Sequence, residues 1–392
     1  MKLLVILPRV PWPLEKGDKL RAYHMLRHLS KDFEITLVAL NDEGNKRDAI
    51  PHLQPYCQHI EIIRLYKPMI YLRLIRCFLF GSLPLQVQWF LDGKAKKKIR
   101  RLIASTQPDR IFCQLIRTSE YVRDIPDIPK VLDYMDVFSK GMDRRAQTAP
   151  AYQKPVLHME YKRLLKYEHN VFSDFQAHMI ISSQDRNLIV HPDKHSIHVV
   201  PNGVDTEFFH PMQAAKDYDV LFNGNMSYPP NVESAEFLVN EVLPLLKETR
   251  PDLKILISGA TPSPRVKQLA GTSVTVTGWV EDIRESFARS KMLVAPMQLS
   301  IGLQNKLLEA MSMKIPCITS PLANNALQAP EGSCILVAAD APAYARHILH
   351  LLDHPEQAER MAEEAYAFIR QKFRWEAVAQ EVAQVIRQAR TP

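Results

Sequence analysis

Lys291–Ser320 reads K-M-L-V-A-P-M-Q-L-S-I-G-L-Q-N-K-L-L-E-A-M-S-M-K-I-P-C-I-T-S. Its pattern is strand, loop, helix, strand. Met292–Ala295 is an apolar run of strand length, Leu303–Met313 carries helical periodicity, and Ile315–Ser320 is apolar again. Gly302 stands just before the helix, where backbone turns sharply or comes close to a ligand. The first-turn amides of Leu303, Gln304 and Asn305 lack intrahelical acceptors and suit an anion. Lys306 adds a positive charge within reach of a phosphate. Glu309, three residues on, shares its helix face and suits vicinal hydroxyls such as those of a ribose. The plainer alternative is a Lys–Glu helix pair beside an ordinary loop.

The same alternation runs through the chain on both sides. Leu3–Leu7, Phe33–Leu40, His59–Arg64, Arg110–Cys113, Lys130–Tyr134 and His178–Ser182 read as strands. A helix capped by Asp18 runs to Leu29, and a long one spans Pro155–Phe172. The pattern restarts with a strand at Tyr218–Asn223, a helix over Val232–Leu246, strands at Leu253–Ser258 and Val274–Thr277, and a helix at Ile283–Arg289. Cys334–Val337 is the last strand, and 342–390 is helical in pattern. This predicts an α/β protein of two Rossmann-like halves, each a parallel sheet covered on both faces. A turn-rich linker at Val200–Pro211 separates them.

Charge is unevenly placed. The net charge is +7 over 392 residues, yet Arg64–Arg101 alone carries +9 and the remainder −2. Aromatic and aliphatic residues are interleaved with these cations, a composition suited to anionic lipid headgroups. Arg73, Arg76, Trp89, Lys94, Lys97 and Lys98 are the candidate membrane or acceptor patch. Two ordinary helices with buried apolar faces are the alternative, and nucleic acid fits less well. The five cysteines show no metal-ligand spacing, which predicts reduced thiols. Met1–Leu7 reads as a buried strand rather than a leader, because Pro8 and Arg9 cut the apolar run. The expected location is cytoplasmic, at the inner face of the cytoplasmic membrane.

Gly302–Pro316 resembles the donor-binding motif of glycosyltransferase family 4, a large family of the GT-B fold. Three further stretches agree in order: Val199–Phe209 is similar to that family's interdomain linker, Val220–Gly224 with Gly259 to the Gly-ended strands of its second domain, and Val276–Ile283 to its base-holding loop. The run around Phe373–Trp375 resembles its closing helices. The N-K-x-x-E-A-M form, with Y-P-P-N at Tyr228–Asn231, looks like a bacterial exopolysaccharide subgroup. The resemblance implies a GT-B fold with two domains facing a central cleft and C-terminal helices crossing back to the first. Residues 1–200 would be the acceptor side, 201–372 the nucleotide-sugar domain and 373–392 the returning helix.

The implied activity is hexosyl transfer from a nucleotide sugar to a lipid-linked or polysaccharide acceptor, in exopolysaccharide or lipopolysaccharide synthesis. It would proceed with retention and without metal or other cofactor. Glu309 would bind the ribose. Gly302, Leu303, Gln304 and Asn305 would lend amides to the diphosphate, with Lys306 supplying charge. Trp279 and Val280 would hold the base. Gly224 and Asn225 would lie under the diphosphate, and Gly17 with Asp18 would meet it from the first domain. Arg117 and Asp136 are candidates from that domain, Asp136 as base or sugar contact or merely as a loop cap. The expected partners are the nucleotide sugar, the acceptor and an anionic inner-membrane surface, with no nucleic acid.

Two departures stand out. Ile301 occupies the place of the family's first Glu, eight residues before Glu309, and the usual Arg and Lys after Gly224 are missing. A nucleotide-sugar epimerase on the same fold and a non-catalytic nucleotide-sugar-binding protein are the alternatives. The D-x-D at Asp217–Asp219 precedes a strand, and His191, His195 and His198 lie in a polar loop, so neither is read as a metal site.

Overall fold

Short apolar runs become parallel strands in both halves of the chain. The computed structural model describes every residue except Glu15, Asn45, 299–301 and 391–392. Ile301 therefore lies outside the described residues. The chain separates into two units: Met1–Pro201 together with the C-terminal segment from Trp375, and Asn202–Arg374.

The first unit holds a seven-stranded sheet of β1 (Lys2–Leu7), β2 (Glu34–Asn41), β3 (His59–Arg64), β4 (Arg110–Gln114), β5 (Lys130–Asp133), β6 (Ala177–Ile180) and β7 (His198–Val199), in the order β3-β2-β1-β4-β5-β6-β7. Every pairing is parallel; Leu3 sits opposite Ile35 on one side and Arg110 on the other. The second holds β8 (Tyr218–Asn223), β9 (Ile255–Ser258), β10 (Val274–Gly278), β11 (Ser290–Ala295), β12 (Cys317–Thr319) and β13 (Leu336–Val337), ordered β10-β9-β8-β11-β12-β13. Both are the doubly wound parallel sheets expected, with strands buried on both faces by helices. In each, strand order reverses once, between β1 and β4 and between β8 and β11. Ligands of such sheets bind past the carboxyl ends of the strands flanking that reversal.

The last helix, Trp375–Gln388, packs within the first unit, where Trp375 stacks on His24 at 4.9 Å. Val378, Val382 and Ile386 join the core formed by Leu3, Val5 and Leu37. A buried ion pair ties that unit internally: Arg21 donates to Asp133 at 2.7 Å and to the Pro201 carbonyl at 2.9 Å.

Three local expectations are corrected. Asp18 does not cap its helix, which begins at Gly17; it pairs instead with Arg9. The helix predicted over Val232–Leu246 starts at Pro229 and runs to Thr249 with a π-helical turn at Leu238–Val242. Pro244 lacks the N–H that a regular α-helical turn would use, and the widened turn absorbs the mismatch. The helix predicted from Leu303 begins at Asn305.

Candidate active site

Tyr218–Asn223 is a strand because Val220, Leu221 and Phe222 are fully buried in a parallel sheet. It delivers the chain to Gly224, whose φ is +153°. Gly259 ends the neighbouring strand at φ +136°, and a Cβ there would lie 1.9 Å from the Gly224 carbonyl oxygen. Only glycine lets these two backbones touch. The loops beyond are zipped together: the Met226 amide donates to the Ala260 carbonyl at 2.8 Å, and the Ser263 amide to the Met226 carbonyl at 3.1 Å. Asn225 keeps its side-chain oxygen inside this loop pair, accepting from Ser227 and from Thr261. Its carbonyl is engaged as well, accepting from the Tyr228 amide at 3.2 Å.

Lys306 comes up beneath this platform from the helix Asn305–Ser312. Its Nζ donates to Asn231 Oδ1 at 2.9 Å and lies 4.4 Å from the Phe222 ring centroid. A Cβ on Gly224 would stand 3.2 Å from that Nζ. Asn231 Oδ1 is the one oxygen accepting from the ammonium among the described residues. Asn231 also donates to the Asn225 carbonyl at 2.9 Å, so one amide joins the lysine to the loop. Burial pushes the Lys306 ammonium down to about 7, against the opposing pull of Glu309. Glu309 is pushed up to about 7 by burial, with Lys306 and a hydrogen bond from Asn223 opposing. Asn223 Oδ1 is itself buried without a partner among the described residues.

The helix start decides which amides are available. Leu307 N–H bonds back to the Gln304 carbonyl at 3.0 Å, which leaves Asn305 and Lys306 as the first-turn donors, not Leu303 and Gln304. Gly302, Leu303 and Gln304 form the approach loop, with Gln304 Nε2 donating to the Gly302 carbonyl and Leu303 buried. Asn202, at the start of this unit, donates to Asn305 Oδ1 at 3.3 Å and holds the helix entry. Trp279 follows the positive-φ Gly278 at the end of β10 and is 72% exposed; Val280 is half-buried.

The first unit gathers its own cluster at the β1/β4 reversal. Arg117 donates to Gln86 Oε1 at 2.7 Å and lies 4.4 Å from the Phe138 ring centroid. Arg9, which follows β1, and Arg117 share the Phe90 ring at 5.8 and 5.4 Å. Burial lowers Arg117 to about 10, and Arg9 pushes the same way while Asp18, Asp136 and Asp42 oppose. Its Nε is buried and unpartnered among the described residues. Asp136 is exposed after Met135, whose φ is +57°, and one carboxylate oxygen accepts from the Val137 amide at 2.7 Å. The loop-cap reading of Asp136 therefore has a bond behind it. Gly17 opens the helix Gly17–Leu29 with open space where a Cβ would stand.

The candidate membrane patch is not one surface of free cations. Arg73 pairs with Asp92, Trp89 Nε1 donates to Asp42 at 2.7 Å, and Lys98 pairs with Glu61 at 2.8 Å. Lys96 and Arg100 share Asp124. Arg76, Lys94 and Lys97 remain exposed. Asp217 and Asp219 are spent on Arg289 and Lys291. Among the described residues no three His, Cys, Asp or Glu side chains group as metal ligands.

Sequence reasoning gave no role to Asn223, Arg9, Gln86 or Phe90, and quoted Asn231 only within a motif. Asn223 ends a strand and Arg9 follows one, Gln86 and Phe90 lie on the short helix Leu85–Phe90, and Asn231 lies in the first turn of the helix Pro229–Phe237.

Comparison with known proteins agrees with this geometry. Residues 217–354 match the family described as Glycosyl transferases group 1. The chain is 22% identical to a Klebsiella pneumoniae protein described as an uncharacterized 44.6 kDa protein in the cps region, over 95% of this chain and 96% of that one. It is 27% identical to the alpha-maltose-1-phosphate synthase of Mycobacterium tuberculosis, over 54% of this chain and 62% of that enzyme's length. Among solved structures, a sucrose-phosphate synthase from Thermosynechococcus elongatus aligns with a TM-score of 0.73 at 15% identity, covering 99% of both chains. Anabaena HepE, solved in complex with UDP, aligns at 0.68 and 13% identity, over 99% of this chain and 100% of that one. The chain is a glycosyltransferase of the GT-B fold, with a glycosyl transferases group 1 domain at residues 217–354.

Proposed function

We propose that the protein transfers a hexosyl group from a nucleotide sugar to a lipid-linked or polysaccharide acceptor in bacterial cell-surface glycan synthesis, with retention and without a metal. It would act at the inner face of the cytoplasmic membrane. The observation that carries the donor reading is Lys306, buried beside Gly224 at the β8/β11 reversal and on the same helix as Glu309. A leaving nucleoside diphosphate gains negative charge as the glycosidic C–O bond breaks. A pre-placed ammonium and the first-turn amides of Asn305 and Lys306 stabilise that charge without reorganising. Glu309 accepts hydrogen bonds from the ribose hydroxyls, and Trp279 covers the base. The UDP held by HepE and the cps-region setting of the Klebsiella relative support this choice of donor and pathway class. On the acceptor side, Arg117 lies against the Phe90 and Phe138 rings and feels the charges of Arg9 and Asp136, a mixture suited to sugar hydroxyls.

Titration calorimetry with nucleoside diphosphates tests the donor half. Lys306→Met should weaken binding by about 1.5–3 kcal/mol, the worth of a charged hydrogen bond. Unchanged affinity would remove Lys306 from the site.

A further inference from the structure

The helix Lys67–Phe80 is apolar on nearly every side, with only Lys67, Arg73 and Arg76 charged. Such a helix is normally enclosed. Its inward face is: Ile70 and Cys77 are buried, and Leu74 packs on the core. Its outward face is bare. Leu72, Ile75 and Leu79, spaced to share that face, are 60–61% exposed, and Phe80 is 85% exposed. Eight of the sixteen exposed large hydrophobics among the described residues fall between Tyr66 and Phe80. A cluster of that density marks an interaction surface rather than ordinary scatter. The helix is also firmly anchored, because Arg163 donates to the carbonyls of Cys77, Phe78 and Leu83 at its end.

A cavity of about 360 Å³ opens beside that end, lined by Arg73, Arg76, Phe80, Ser82 and Gln88 among others. Arg73 gives one nitrogen to Asp92, while its Nε and Nη2 are buried with no acceptor among the described residues. Arg76 adds an exposed charge, and the helix contains no acid. Two guanidiniums with N–H groups to spare suit a phosphate.

We infer that this helix lies in the interface of an anionic bilayer, with Leu72, Ile75, Leu79 and Phe80 in the acyl region and a lipid phosphate headgroup in the Arg73–Arg76 cavity. The lysines of the helix Gly93–Thr106 are secondary to this contact. The inference deepens the proposed function: an enzyme seated this way takes its acceptor from the same bilayer, which favours a lipid-linked acceptor over a free polysaccharide.

Vesicle co-sedimentation tests it, using phosphatidylcholine alone and phosphatidylcholine mixed with phosphatidylglycerol. The wild type should bind the mixed vesicles. Leu72→Asp/Ile75→Asp/Leu79→Asp should lower that partition by about tenfold or more, given the apolar area withdrawn. These side chains are exposed, so the variant should keep its nucleoside diphosphate affinity, which reports an intact fold. Arg76→Gln should weaken binding to the mixed vesicles more than Lys94→Gln/Lys97→Gln does. The proposal is overturned if the wild type ignores mixed vesicles, or if the triple variant binds them as well as wild type. It is equally overturned if inorganic phosphate at constant ionic strength releases the wild type, which would assign the cavity to soluble phosphate. A wild-type dimer that the triple variant dissociates, without vesicle binding, would give the face to a second copy. Failure of the wild type to bind any nucleotide would strike the transferase reading and leave this one standing.

Discussion

Lys306 and Glu309 share one turn of helix, and burial drives them toward their neutral forms from opposite directions. Lys306 falls to about 7 and Glu309 rises to about 7. An arriving diphosphate favours the charged ammonium, so Lys306 contributes most below about pH 7 and loses its share as pH rises through that value. A ribose favours the carboxylate, so Glu309 contributes above about pH 7 and loses its share as pH falls through it. Nucleotide affinity should therefore peak near pH 7. Titrations across pH should show Lys306→Met losing the alkaline decline and Glu309→Gln losing the acidic one. A flat wild-type profile would contradict the pairing. This pair was legible in the sequence because both residues lie on one helix, where spacing alone fixes a shared face. Asn231, Asn223 and Arg9 were not. Asn223 ends a strand and Asn231 lies in the helix Pro229–Phe237, both distant in sequence from Lys306, while Arg9 follows the first strand in the other unit; no local pattern announces such roles.

At the scale of elements, the site depends on two loops brought together by two glycines. Gly259→Ala would place a Cβ 1.9 Å from the Gly224 carbonyl oxygen at a φ that side chains avoid. It should cost roughly 3 kcal/mol of stability and lower nucleotide affinity as the Asn225–Thr261 contacts part. Thermal unfolding and calorimetry on the variant check both; a wild-type melting curve would show that the loops tolerate separation. Strands were readable as short apolar runs, and their bounds came within a few residues. Helix starts were less readable. Gln304 and Leu303 sit in an extended approach that helical periodicity cannot distinguish from a first turn. The helix Lys67–Phe80 was read with the basic segment as a candidate membrane patch, with a buried apolar face as the alternative, and only the folded chain shows which of its apolar residues face outward.

For the whole molecule, the restart of the strand–helix pattern at Tyr218 made two parallel sheets legible. The destination of the last helix came from resemblance alone. Trp375, Val378, Val382 and Ile386 complete the core of the first unit. Each buried side chain of that size is worth about 1.5–3 kcal/mol, and together they rival the roughly 5–15 kcal/mol stability of a typical domain. Truncation after Arg374 should therefore leave an insoluble or unfolded first unit, as circular dichroism and solubility would show. A folded, soluble truncation would mean that the helix is dispensable. The +9 segment takes a different meaning at this scale as well. Several of its cations are spent on Asp92, Asp124 and Glu61, so charge alone does not define its surface. The central claim is sugar transfer from a nucleotide donor bound around Lys306 and Glu309. Its most direct test is incubation with a panel of nucleotide sugars while released nucleoside diphosphate is measured. Slow release from at least one donor by the wild type, and its loss in Lys306→Met, is the predicted result. No binding and no release with any donor would contradict it.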